Sequence, residues 1–474
     1  MEKLTKTDFI QYLNCEKSLW VLKHDPANFP HGEFSTFLQK LTREGYEVED
    51  FVRQFFESDI SRSVNFQTTF ETEDGLFARA DVLEKLSNGE VILYEVKSST
   101  SVKTDPKHNH LKDACFQKIC SERAGQKIDR VCMVHLNKDY IKEGNINPED
   151  LLVFEDVTDR VREIYGETEA EIDEALAFLR ELEIDTDNCS CLRKSRVNQC
   201  DTFGYFNAEI PKLSIYSLPR LSEKKRLDLI NKGIFDLKDV PSDYTLSDIQ
   251  SGVLRSVHQD APQIDVGAVN SILEMYEFPL YFFDYETFGS AVPLVDGSSP
   301  HKQFPVQYSL HILKEDGSLT HKEFLQREAR LPANLVEQME LDFGPEGSIV
   351  SWHASFEKAR NREMASWFPD KVDFLNDLND RMVDLEEIFK KAYVDARFDG
   401  STSIKKVLPI LCPDLGYDDL AVQDGAAAMD AWQRMLGASG NEADAKAQEL
   451  LAYCKLDTLA MVEIYKFLMR TLQN

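Results

Sequence analysis

The stretch "YFFDYETFGS", residues 281–290, constrains the fold more than any other part of the chain. Three apolar residues lead into Asp284-Tyr285-Glu286, and the run reads as a buried strand. Residues i and i+2 of a strand project from the same face. Asp284 and Glu286 therefore point together, and two like charges side by side repel. The face is either wet or held by something cationic.

The remaining patterns give an α/β order. Helical periodicity dominates residues 5–25 and 34–57. Strand-like alternation follows in "SVNFQTTFETEDGLFARADVLEKL" and "VILYEVKSST", with the turn signal Asn88-Gly89 between them. A helix near 110–124, the strand "RVCMVHLN" and a long helix near 168–183 complete a unit over residues 1–205. Residues 206–275 carry short helices. Within them "RLSEKKRLDLINKGIFDLKDVP" looks like a helical hairpin, with Gly233 between two helices. Such a hairpin either presents backbone amides to phosphates or packs as a linker. Residues 276–474 begin a second α/β unit. Its strands are "LYFFDYETF", "VQYSLHIL", one near 321–326 and "GSIVSWHA", with a helix at 332–341 and mostly helices to the end.

With 474 residues the chain has room for two to four domains. Apolar runs stay short of the roughly 18 residues a membrane helix needs. The opening "MEKLTKTDFI" lacks an apolar signal-peptide core, so the expected location is the cytoplasm. The net charge of −29 argues against nonspecific coating of nucleic acid, which wants basic surfaces. Local patches still allow binding, and two windows run basic against this background: Lys97–Arg130 and Arg193–Lys232.

Nine cysteines in a cytosolic chain are thiols or metal ligands rather than disulfides. Cys115, Cys120, Cys132, Cys412 and Cys454 sit in apolar patterns and read as core. Cys189, Cys191 and Cys200 lie close together in "DNCSCLRKSRVNQCDTFGYFN", and Cys15 stands far off in "LNCEKSLWV". Four thiolates fit a [4Fe–4S] cluster or a tetrahedral zinc.

Residues 79–97, "RADVLEKLSNGEVILYEVK", place Asp81 on one strand and Glu95 and Lys97 on the next. Hairpin pairing brings Asp81 beside the other two. Two carboxylates and an ammonium at one point suit phosphodiester hydrolysis with Mg²⁺ or Mn²⁺; a surface ladder of charged pairs is the bland alternative. Upstream, "LTREGYEVEDFVRQFF" can bring Glu49 or Glu44 to this point. Downstream, "HLKDACFQKIC" offers Gln117.

This order resembles the RecB-like branch of the PD-(D/E)XK nucleases, which includes the CRISPR adaptation nuclease. The resemblance implies metal binding by Asp81 and Glu95, catalysis by Lys97 and, for Gln117, the place of the family's glutamine motif. Glu49, a further candidate metal ligand, stands where the family often has histidine. Members of the branch carry one cysteine before and three after the nuclease core around an iron–sulfur cluster. The C-x-C spacing here departs from their usual C-x-x-C and keeps zinc open.

The second set gathers around Asp284 and Glu286. Glu357 follows in "SWHASFEKAR". "LLAYCKLDTLAMVEIY" carries Tyr453 and, four residues on, Asp457, which share a helix face. The ordering resembles the DnaQ-like 3′–5′ exonucleases of the ribonuclease-H fold. The resemblance implies that Asp284, Glu286, Glu357 and Asp457 bind two divalent ions and that Tyr453 orients the attacking water. His353 and Glu357 depart from the asparagine and aspartate of the family's second motif. Asp384 is a rival ligand, with a helix-start role favoured. Lys405 and Lys406 either meet phosphates or form a solvated basic turn.

The expected chain is a fusion of an N-terminal PD-(D/E)XK nuclease fold, a small helical linker domain and a C-terminal ribonuclease-H-like fold, resembling a bacterial family of unknown function. The expected activity is metal-dependent hydrolysis of DNA, single-stranded or at ends, with no membrane partner. Repair and defence against foreign DNA are equally open as pathways. The alternatives are RNA as substrate, or a nucleic-acid-binding assembly protein with one or both centres dead.

Overall fold

The computed structural model describes residues 3–30, 36–105 and 108–472. It is a mixed α/β chain that divides into two compact units. The first contains residues 1–209 and 290–301, the second residues 210–289 and 302–474.

The first unit is built on a six-stranded sheet. Val91–Val96 runs antiparallel to Leu76–Lys85 and parallel to Arg130–Leu136. Ser63–Glu71 extends the sheet beyond Leu76–Lys85, and Leu152–Asp156 pairs with Arg130–Leu136. Helices His110–Arg123 and Thr158–Phe178 cover one face, around Phe116, Ile119, Leu93 and Ile172. Helix Thr36–Glu57 contributes Val48, Val52 and Phe56 to a second core, with Tyr94 and Val134. The strands alternate between these two cores, as the period of two requires.

Two local features differ from the sequence reading, and a third lies partly outside the described residues. The helical pattern of residues 5–25 is two helices, Lys6–Asn14 and Glu16–His24, broken at Cys15. Cys15 is extended at φ −163, ψ 109, and no glycine or proline marks the break. The helix expected near 168–183 begins ten residues earlier, at Thr158, and Leu152–Asp156 adds a strand before it. The helix expected from residue 34 is described from Thr36, and residues 34 and 35 lie outside the described residues.

In the second unit the sheet order is Leu319–Leu325, Phe304–Leu313, Leu280–Phe288, Ile349–Ser351 and Met382–Asp384. The first three strands are antiparallel; the last two run parallel to Leu280–Phe288. Leu280–Phe288 lies in the middle and is buried on both faces. Phe282 packs with Met461, Ile464 and Tyr465 of the long helix Asn441–Leu472. Phe283 and Tyr285 face Leu335, Met364 and Leu375 on the opposite side.

Residues 210–264 pack within this unit around Ile215, Leu229, Leu237 and Val253. Helix Glu223–Asn231 ends before Gly233, at φ +71, and the expected second hairpin helix is one 3₁₀ turn, Leu237–Asp239. The next full helix is Asp248–Gln259, capped by Ser247 with Gln250 reaching back. Among the described residues, no helix is long and apolar enough to cross a membrane.

Candidate functional site

Asp284 and Glu286 project from one face of the central strand into a cleft of about 480 Å³. Glu357, Tyr453, Asp457 and Lys405 line the same cleft. Glu357 comes from the first turn of helix Ser355–Trp367, and Tyr453 and Asp457 from the long helix. Tyr285, on the opposite face, donates its hydroxyl to Asn361 Oδ1 at 2.7 Å.

The acids lie where charge is expensive. Burial, and then the charges of Asp457, Glu357 and Glu286, push the Asp284 carboxyl far above its usual range. Glu286 is pushed the same way by burial and Asp457. Burial raises Glu357 to about 8 and Asp457 to about 6. Glu357 is 2% exposed, and among the described residues its Oε2 has no hydrogen-bond partner. Lys405 opposes these shifts at Asp284, Glu286 and Asp457.

Local bonds order the rim. Tyr417 donates to Asp457 Oδ1 at 2.6 Å, and Lys405 Nζ donates to the Tyr453 hydroxyl at 3.1 Å. Lys405 also lies over both tyrosine rings, about 5 Å from their centroids. Asp384 does not line the cleft, though its charge helps raise Glu357: its Oδ1 accepts from the backbone N–H of His353 and of Glu386, at the start of helix Glu386–Lys391. His353 has φ +66, and its ring meets Glu386 at 3.2 Å. Among the described residues, the potential ligand atoms here that all lie within 4.8 Å of one another belong to Asp284, Glu286 and Cys454. Glu357 and Asp457 stand further out. Cys454, read as core, is buried as expected, with Sγ 3.8 Å from the Asp284 carbonyl oxygen.

In the first unit the hairpin brings Asp81 to the end of Val91–Val96, where its Oδ2 accepts from Val96 N–H at 2.8 Å. Glu95 is fully buried. Its Oε1 takes Lys6 at 2.5 Å and Lys97 at 2.9 Å, and its Oε2 accepts from Gln117. Lys97 also meets Asp113 at 2.5 Å. Burial raises Glu95, but Lys6 and Lys97 outweigh it and lower it to about 2. Asp81 goes the other way, raised to about 7 by burial and by Glu95. Glu49 accepts from Gln67 at 3.0 Å, and burial raises its carboxyl. Glu44 is paired with Lys40. Lys6 and Asp113 escaped the sequence reading. Asp113 had a signal, four residues before Gln117 on one helix face; Lys6 and, in the second unit, Tyr417 had none.

The third group is Cys15, Cys189, Cys191 and Cys200, all buried, with all four sulfurs within 4.8 Å of one another. Cys189 and Cys200 are 3.9 Å apart. Bonding among the sulfurs pushes Cys191 toward thiolate and holds Cys15 as thiol. A buried four-cysteine group of this kind can bind a metal ion or a cluster. Cys115, Cys120 and Cys132 are buried in the core, whereas Cys412 is only partly buried, at the end of helix Ile404–Leu411.

Residues 281–403 match a family model described as a domain of unknown function, DUF2779. That span holds Asp284, Glu286, His353 and Glu357 and stops before Lys405, Tyr453 and Asp457. The chain is 28% identical over 209 residues to uncharacterized protein MG366 of Mycoplasma genitalium, covering 40% of this chain and 31% of that protein. It is 28% identical over 218 residues to the MG366 homolog of Mycoplasma pneumoniae, covering 41% and 32%. Uncharacterized protein UU173 of Ureaplasma parvum is 25% identical over 219 residues, covering 41% and 31%. The chain therefore spans under a third of the length of these relatives. Among solved structures, the crystal structure of SSO0001 is similar at a TM-score of 0.24 and 13% identity, covering 36% of this chain and 76% of that one.

Proposed function

We propose that the protein is a metal-dependent nuclease whose second unit removes nucleotides from the 3′ end of a single strand. One observation carries the reading: four carboxylates, Asp284, Glu286, Glu357 and Asp457, line one cleft with a tyrosine and a lysine, and Glu357 keeps a buried oxygen without a partner among the described residues. Carboxylates held this far above their usual range lack positive charge. Oxygen donors of this kind suit Mg²⁺ or Mn²⁺. These four residues would hold such ions, which supply a water of lowered pKa and stabilise charge on the phosphate. Tyr453, fixed by Lys405, is positioned to orient the water, and Lys405 to meet a phosphate oxygen. Glu286 and Asp457 keep their direction through the strand and helix that carry them.

In the first unit, Asp81, Glu95 and Lys97 support a second hydrolytic centre of the RecB-like type. The buried Gln117 Oε1 has no partner among the described residues and lies on the side chain that bonds Glu95. Asp81 and Glu95 would hold a divalent ion, where Lys6 now places an ammonium on Glu95. The cysteine group would tie the start of this unit to its end. The four sulfurs lie within 4.8 Å of one another, and four thiolates of this kind suit either zinc or a four-iron cluster. Iron against zinc content of anaerobically purified protein decides between them.

The test is incubation of the purified chain with 5′-labelled single-stranded DNA and Mn²⁺. We expect stepwise shortening from the 3′ end, and a loss of that 3′ shortening of about a hundredfold or more in Asp284→Ala, with any hydrolysis by the first unit left in place. An intact strand, in protein shown by calorimetry to bind Mn²⁺, would sink the enzyme reading and leave a binding protein.

A further inference from the structure

A second cleft, of about 740 Å³, lies within the same unit beside the carboxylate cleft. We infer that it binds the phosphodiester backbone of the single strand whose end reaches Asp284 and Glu286; this rests on the function proposed above.

The two clefts share a wall. Gly400, Ser401 and Thr402 line the larger one, and Ile404 and Lys405, the next turn of chain, line the smaller. Trp352, lining the carboxylate cleft, donates to the Thr402 carbonyl at 3.0 Å. Its ring stacks at 5.3 Å on Phe389, which lines the larger cleft.

Charge selects the occupant. The chain is strongly acidic, and cations of the first basic window are ion-paired: Lys112 with Glu171, Lys118 with Glu122, Arg123 with Asp173, Arg130 with Asp156. In the larger cleft, Arg220 and Lys225 have no carboxylate within 4 Å among the described residues. Of its acids, Glu387 is matched by Lys391 and Asp395 by Arg397, while Lys390 is shared among Glu386, Asp384 and Glu387. The positive charge left over on the lining, among the described residues, is that of Arg220 and Lys225.

Two helix starts add to it. Ser222 caps Glu223–Asn231 and Ser247 caps Asp248–Gln259, and both serines line the cleft. The first N–H groups of a helix lack intrahelical acceptors and carry the positive end of its dipole, which suits phosphate oxygens. Cations, helix starts and hydroxyls contact a backbone without reading bases. DNA and RNA share that chemistry. The hairpin stretch singled out in the sequence thereby acquires a role through its flanks, Arg220, Ser222 and Lys225, rather than through its turn.

The experiment measures fluorescence anisotropy of the full chain with single-stranded DNA and RNA of about 15 nucleotides, in EDTA and across a salt series. Arg220→Glu/Lys225→Glu should weaken binding at least tenfold. Loss of two phosphate contacts should also reduce the slope of log K against log salt by about 1.4. Ser247→Asp preserves the helix cap yet adds a negative charge to the cleft, so it should weaken binding in the same direction. Equal losses for DNA and RNA fit backbone recognition, and a loss confined to one assigns the cleft to it. If both variants keep the wild-type circular dichroism, affinity and salt slope, the inference is overturned. EDTA removes the ions, so binding is read apart from cleavage: binding that depends on these charges, with the strand left intact once Mn²⁺ is restored, sinks the nuclease proposal alone. Hydrolysis that ignores them sinks this one alone.

Discussion

Glu357 shows how a single carboxylate can report on the cleft. Its folded pKa is near 8 against a reference of 4.5. A raised carboxyl binds its proton more tightly in the fold than in the unfolded chain. The stability it contributes is therefore full below about pH 4.5 and is lost as pH rises toward 8. Metal-free protein should melt at lower temperature at pH 8 than at pH 5, and Glu357→Gln should lose part of that difference. Mn²⁺ competes with the proton for the carboxylate, so it should raise the wild-type melting temperature more at pH 8 than at pH 5. Scanning calorimetry of both proteins with and without Mn²⁺ checks this. An identical pH difference in wild type and Glu357→Gln would remove Glu357 from the account. The shared direction of Asp284 and Glu286 was legible because it needs only the strand period. The raised pKa was not, because burial comes from helices distant in sequence.

At the scale of elements, breaks and turns carry much of the organisation. Cys15 ends one helix and starts the next, which points its sulfur at Cys189, Cys191 and Cys200. Replacing Cys15 with serine should reduce bound metal from about one centre per chain to near zero, as read by elemental analysis, and lower the melting temperature. Metal retained at the wild-type level would exclude the four-cysteine centre. Gly400 is a second fixed point. At φ +76, a Cβ there would lie 2.5 Å from the carbonyl oxygen of Ser217, and Ser217 already donates to Asp399 at 2.6 Å. Gly400→Ala should cost about 2–3 kcal/mol, measured by denaturant unfolding; a cost under the error of the method would mean the turn relaxes. Neither feature was evident beforehand. Periodicity ran through Cys15 without interruption, and Gly400 stands in a loop with no pattern at all.

Over the whole molecule, the two units each hold a carboxylate group of distinct design. In the first, cations already sit on the acids, with Lys6 and Lys97 both on Glu95. In the second, Lys405 is the cation that lines the cleft among the described residues, and Arg360 acts on Glu357 from outside it. Lys97→Ala and Asp284→Ala should each leave part of the strand hydrolysis, with different product ladders, and the double variant should fall about a hundredfold or more below wild type. Time courses on labelled strands check this, and full activity in the double variant would assign the hydrolysis to another protein. The sequence by itself determined the α/β order, the common face of Asp284 and Glu286, the i, i+4 pairing of Tyr453 with Asp457, and the clustering of three cysteines. These follow from the periods of strand and helix, which act over a few residues. Only the tertiary structure decided which partners those groups have: Lys6 with Glu95, 89 residues apart, Tyr417 with Asp457, 40 apart, and the meeting of Glu357 with Asp284. Such partners are set by how sheets close and helices pack, and no local period encodes that distance.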